Sequence, residues 1–152
     1  MKRLVVLVLI LISGILVAQN EGKRISQYNL ENKVAIQGYD PVGYFTLKKA
    51  IKGKKEISAS YEGVTYQFSS TGNKETFLKN PSKYEPQYGG WCAYAMGSDG
   101  GKVEINPETF KIIDGKLYLF YNAYFNNTLK SWNKDEAKLK SQATINWKKI
   151  YR

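Results

Sequence analysis

Histidine is missing from this sequence altogether. That excludes Ser-His and Cys-His nucleophile pairs and histidine-ligated zinc within a single chain. Cysteine occurs once, as Cys92, so no internal disulfide can form and the fold rests on its core. Acidic residues are scarce: 13 Asp plus Glu stand against 23 Lys plus Arg, a formal charge of +10. The lysines are scattered, from Lys48 and Lys49 through Lys52, Lys54 and Lys55 to Lys138, Lys140, Lys148 and Lys149. They fall on expected turns and one helix face, which reads as a solvated basic surface, and no nucleic-acid partner is expected. The carboxylates Asp40, Asp99, Glu104, Glu108 and Asp114 form no catalytic pair by spacing. Asp40 before a proline and Asp114 before a glycine read as turn residues. No phosphate-binding loop is present, so the balance falls toward binding rather than catalysis.

Only one long apolar run occurs, over residues 4–17, behind Lys2 and Arg3. It is shorter than the ~20 residues of a spanning helix. Its basic start, its length and the small Ala18 at its end match a secretory leader. Residues 1–18 are expected to be a signal peptide, 19–32 an N-terminal arm and 33–152 one folded domain. The destination is then the periplasm or the medium. An uncleaved leader would be the chain's membrane contact.

The remainder alternates short strand and helix patterns. Strands are expected at 34–36, 44–45, 57–60 and 64–68, with a hairpin over 111–121. Gly63 turns one hairpin, and Asp114-Gly115 between two β-rich runs turns another. Ser69-Ser70-Thr71 offers an N-cap for a helix over 72–79, which Asn80-Pro81 ends. A short helix is expected over 91–96, stopped by Gly97, and a turn or short helix from Asn106 to near Phe110. Two helices, 122–129 and 133–150, close the chain. The fold class is a small single α+β domain: a short antiparallel sheet of hairpins with helices packed on one side.

The stretch from Tyr88 to Gly97 is the unusual one. Gly89 and Gly90 precede Trp91 and Cys92, and Tyr94 and Met96 follow. Three readings of Cys92 stand open. Thiolate and thioether suit copper(I), and Cys92 and Met96 are four apart, as on one helix face. In that reading they are the metal ligands, with Asp40, Tyr44, Tyr88, Gly89, Gly90, Trp91 and Tyr94 around them. A thiolate at a helix start is favoured by the helix dipole, which suits redox work with a partner thiol. A free cysteine is also a common small core residue. The aromatics Tyr39, Tyr44, Tyr88, Trp91 and Tyr94 then line a groove for a ligand or protein, or pack the core.

Four motifs occur in order: 38–45 (GYDPVGYF), 66–70 (YQFSS), 77–84 (FLKNPSKY) and 88–95 (YGGWCAYA). Together they resemble the YHS-domain family, in particular its exported bacterial branch. The run at 113–119 and the tryptophan-containing tail are also similar to that branch. The resemblance implies metal handling, with a copper ion as the implied cofactor. It also implies metal-binding cysteines after the Asp-Pro-Val motif and after the Tyr-x-Phe strand, where this chain has Gly43, Ser69 and Asn73.

Overall fold

A computed structural model describes residue 19 and residues 21–151. The leader expected at 1–18 lies outside them.

The interior is divided by one strand. Strand β6 (Lys116–Phe120) is buried from Leu117 onward. Its alternation sends Leu117 and Leu119 into one apolar cluster and Tyr118 and Phe120 into a second. A strand covered on both faces does this because successive side chains point opposite ways.

The first cluster sits on a four-stranded sheet in the order β1-β2-β4-β3. Its strands are β1 (Leu30–Glu31), β2 (Val34–Ala35), β3 (Lys54–Tyr61) and β4 (Val64–Phe68). β3 and β4 are the expected hairpin, with Tyr61 opposite Val64. β4 alternates, so Val64, Tyr66 and Phe68 are all buried. Phe77 of α3 (Thr71–Lys79) packs on them, its ring 4.7 Å from Tyr66 and 5.2 Å from Phe68. Ser70 caps α3 as expected: its hydroxyl accepts from the Asn73 N–H at 3.2 Å. Such a cap is worth about 1 kcal/mol. Helix α4 (Pro81–Tyr84) adds Tyr84 to the same cluster.

The second cluster joins β6 to α5 (Ala93–Ser98), α6 (Thr128–Trp132) and α7 (Glu136–Ile150). Met96, Trp132 and Ala143 are fully buried in it. Gly97, expected to stop its helix, lies inside α5 and serves packing instead. A Cβ there would stand 2.6 Å from the Leu139 carbonyl oxygen, so a larger residue would force α5 and α7 apart.

The N-terminal arm is helical over residues 21–27, here α1. Arg24 pins it. This buried guanidinium pairs with Glu85, donates to the Tyr28 hydroxyl at 2.8 Å and reaches the Glu62 carbonyl at 3.2 Å. It also lies over the Tyr28 and Tyr61 rings.

Several expected elements differ. Residues 44–45 belong to a helical turn, α2 (Gly43–Thr46), not to a strand. The Asp40 carboxylate accepts the Val42 and Gly43 amides and so holds that turn. β2 joins β4 in parallel, with Val34 opposite Thr65. Residues from Asn106 form β5 (Asn106–Ile113), paired with β6 in a separate two-stranded sheet. Its Asp114-Gly115 turn is as expected, with Ile113 opposite Lys116.

Residues 122–129 are not one helix. β7 (Asn122–Ala123) and β8 (Asn126–Asn127) form a hairpin that leads into α6. Tyr124 and Phe125 are its two-residue tip, with φ of 49° and 64°. Such turns normally take asparagine and glycine. The left-handed region costs other residues roughly 1–2 kcal/mol each.

Candidate functional site

Cys92 is fully buried and caps α5 rather than lying within it. Its N–H donates to the Val103 carbonyl at 3.0 Å, and its own carbonyl accepts from the Met96 N–H at 3.0 Å. The thiol sits in a closed set of bonds. The Tyr121 N–H donates to Sγ at 3.3 Å, and the Thr128 hydroxyl donates to the Tyr121 carbonyl at 2.9 Å. The one Thr128 proton is thus engaged. The 3.4 Å contact between Sγ and Thr128 Oγ1 is then the thiol donating to the hydroxyl. The ring of contacts ties the end of β6 to the start of α6.

Met96 does not share that surrounding. It packs with Tyr88, Ala93, Tyr118, Phe120, Trp132 and Ala143, whereas Cys92 belongs to the first cluster. The i, i+4 argument needs both residues inside one helix, and Cys92 stands at its edge with ψ of 116°.

Asp40 is a second organised point, fully buried. Oδ1 accepts the amides of Val42 at 2.9 Å and Gly43 at 3.3 Å. Oδ2 accepts the Ser69 amide at 2.8 Å, the Ser69 hydroxyl at 2.6 Å and Asn73 Nδ2 at 2.7 Å. The three positions read as replacing cysteines, Gly43, Ser69 and Asn73, therefore converge on one carboxylate. Here they supply neutral donors that join α2, β4 and α3.

A sulfur-held copper(I) ion needs soft donors that face one point. Gly43, Ser69 and Asn73 offer none, the Cys92 sulfur is engaged, and Met96 lies in the other cluster. Among the described residues no group of three or more cysteine, aspartate or glutamate side chains is placed to hold a metal. The residues present do not fit that ion.

The glycine motif leads elsewhere. Tyr88, Gly89 and Gly90 form a left-handed turn with φ of 57°, 61° and 85°. The Asn29 N–H donates to the Gly89 carbonyl at 2.9 Å, and Asn29 Nδ2 donates to that of Gly90 at 3.2 Å. The left-handed Tyr88 is a residue type that rarely adopts such a backbone. This turn walls a pocket of about 360 Å³. The pocket lies where Ser82–Gly89 meets the β5–β6 turn and α7.

Its aromatic lining is Tyr28, Tyr88, Tyr118 and Trp147. Tyr28 and Trp147 stand 5.9 Å apart, and Tyr88 and Tyr118 5.8 Å apart. Its charged lining is Glu85, Asp114, Lys116, Lys140 and Lys148. Three of these are matched: Lys140 donates to Asp114 at 2.8 Å, and Glu85 pairs with Arg24. The hydrogen bond between them lowers the Asp114 pKa from its ordinary value and raises that of Lys140. Burial works to lower the Arg24 pKa, but Glu85 foremost, with Tyr28 and Tyr66, raises it on balance, so the guanidinium stays charged. Glu85 is also bonded by the Tyr66 hydroxyl. Lys116 and Lys148 form no ion pair among the described residues. The Tyr88 hydroxyl is held loosely, 3.4 Å from both the Lys140 carbonyl and Thr144 Oγ1. Burial foremost pushes its pKa up to about 12.

Of the residues singled out by sequence, Tyr88 and Gly89 line this pocket. Gly90 contributes to its turn. Trp91 is half-buried beside it in sequence, its Nε1 donating to the Gln27 carbonyl at 2.7 Å. Tyr94 packs between the two clusters, and Tyr44 is buried, bonded to the Pro107 carbonyl at 2.9 Å. Tyr28, Tyr118 and Lys116 are not singled out by the sequence, which reads Lys140 and Lys148 as part of a solvated basic surface. One signal was available: Lys140, Thr144, Trp147 and Lys148 recur at helical spacing on one face.

The YHS domain family model matches residues 42–88, ending on the tyrosine that opens the glycine turn. Cys92 and the α7 half of the pocket lie beyond it. No curated protein and no solved structure matches the chain.

Proposed function

We propose, for a chain that carries a YHS domain at residues 42–88, that it is a ligand-binding module whose site is the aromatic and lysine-rich pocket at that domain's end. The ligand is an anion with a flat, largely apolar body that fits about 360 Å³. One observation carries this reading: the charge left over. Asp114 and Glu85 are held in ion pairs with Lys140 and Arg24, while Lys116 and Lys148 line the same pocket and form no ion pair among the described residues. Unmatched ammonium groups attract an anion, and Tyr28, Tyr88, Tyr118 and Trp147 supply the apolar area that holds its body. The left-handed Tyr88 adds support, because backbone held in a costly conformation clusters at ligand sites.

Copper handling through Cys92 and Met96 is the reading that the family resemblance favours. The buried thiol with its closed hydrogen bonds weighs against it, and equally against redox work with a partner thiol. With the leader read at 1–18, the module acts outside the cytoplasm.

Fluorescence titration tests the proposal with two dyes of similar shape, anionic anilinonaphthalene sulfonate and uncharged phenylnaphthylamine. The sulfonate should bind saturably, one to one, and roughly tenfold tighter than the neutral dye. Equal affinities would remove the role given to the lysines. Absence of saturable binding by both would remove the pocket.

A further inference from the structure

Away from the pocket, the β7–β8 hairpin carries Tyr124 and Phe125 at its tip, 91% and 111% exposed. No other large apolar side chain among the described residues is exposed to this degree. Both sit at positive φ, where an Asn-Gly pair would be the ordinary solution. The turn therefore holds two rings in solvent against the backbone preference of both residues, and neither ring takes part in a ring contact among the described residues.

The electrostatics around the tip have one sign in sequence. Between Lys116 and Asp135 the only charged residues are Lys130 and Lys134. Both are exposed. Lys130 lies on α6, which starts at the residue after β8. On the neighbouring strand β5 the one acid is Glu108.

We propose that this tip docks the protein on an anionic lipid surface. Specific protein interfaces bury about 800 Å² per partner, and two side chains supply only part of that. A membrane interface needs less. Exposed Tyr and Phe seat at the headgroup level, and basic residues close by are drawn to anionic lipid. Beyond the leader, which holds Lys2 and Arg3, 21 Lys plus Arg against 13 Asp plus Glu leave a charge of +8 that adds to that attraction. The docking is peripheral: among the described residues no helix is long and apolar enough to cross a membrane.

Flotation with vesicles tests it, using phosphatidylcholine alone and phosphatidylcholine with phosphatidylglycerol in a two-to-one ratio. The protein without the apolar leader, residues 19–152, should float with the anionic vesicles and stay behind with the neutral ones. A double variant, Tyr124→Asn with Phe125→Gly, suits the turn and should keep or raise the melting temperature. Its partitioning should fall roughly tenfold or more. Equal flotation by the double variant would overturn the proposal, since the basic surface alone would then suffice. Equal flotation with neutral vesicles would overturn the anionic assignment. Failure of the wild type to float with either would exclude lipid and leave the tip to a protein partner. As a second readout, Phe125→Trp should shift its emission to the blue when anionic vesicles are added. An unchanged spectrum would contradict insertion.

Discussion

A Cβ placed on Gly89 would stand 2.8 Å from Cη2 of Trp147, and equally close to Cδ1 of Tyr28. The glycine motif, the C-terminal helix and the end of the N-terminal helix thus meet at one wall of the pocket. Gly89→Ala should cost roughly 1–2 kcal/mol for its left-handed backbone, with a further loss from displaced rings. At Gly90 a Cβ would first meet Pro86 Cγ at 3.4 Å, so Gly90→Ala should carry mainly the backbone cost. Chemical denaturation of both variants checks the order. A Gly90 variant less stable than the Gly89 variant would contradict it.

Cys92 is expected to behave as a structural thiol. Cys92→Ala removes the acceptor for the Tyr121 N–H and the partner of Thr128 Oγ1. Leaving a buried donor unmet costs about 1–3 kcal/mol. A thiol-specific reagent should label the native protein slowly and the denatured protein at once. Rapid labelling of the native protein would instead indicate an accessible thiolate.

Asp40→Asn should be severe. Each carboxylate oxygen accepts at least two donors, and on each side a backbone amide is among them. Whichever way an asparagine turned, its NH₂ would face N–H groups that cannot reverse. The expected loss is about 3 kcal/mol or more, read as a drop in melting temperature. A variant as stable as the wild type would remove Asp40 from its organising place.

Stability should fall in alkali. Burial foremost raises the Tyr88 hydroxyl to about 12 and raises Tyr28, Tyr44, Tyr66 and Tyr118 as well. The unfolded value is about 10. Between the two, the folded chain keeps protons that the unfolded chain has lost. This contribution is therefore complete below about pH 10 and is lost as the pH rises toward 12. Melting temperatures across that window should decline more gently in Tyr88→Phe. Parallel profiles would argue against a buried Tyr88 hydroxyl.

The parts legible in the sequence were those with local signals. Gly63 and Asp114-Gly115 marked their hairpins, Ser70 marked the α3 cap, and the alternation of Tyr66 and Phe68 marked the face of β4. The β7–β8 hairpin was not legible, because Tyr124-Phe125 occupies a turn without its usual residues. Cys92 and Met96 had helical spacing, but spacing does not tell a capping residue from one inside the helix. The pocket was half legible. Tyr88 and Gly89 belong to an unusual motif, whereas Tyr28, Lys116 and Trp147 come from distant segments that only the tertiary fold assembles. The unmatched charge of Lys116 and Lys148 becomes visible only once Asp114 and Glu85 are seen with their partners.

The most direct test of the binding site is a calorimetric titration of anilinonaphthalene sulfonate into the wild type and into a Lys116→Gln, Lys148→Gln double variant. Both lysines are exposed, so the variant should melt as the wild type does. The account predicts one-to-one binding by the wild type and an affinity roughly tenfold lower in the variant. Undiminished binding in the variant, or no saturable binding in the wild type, would contradict it.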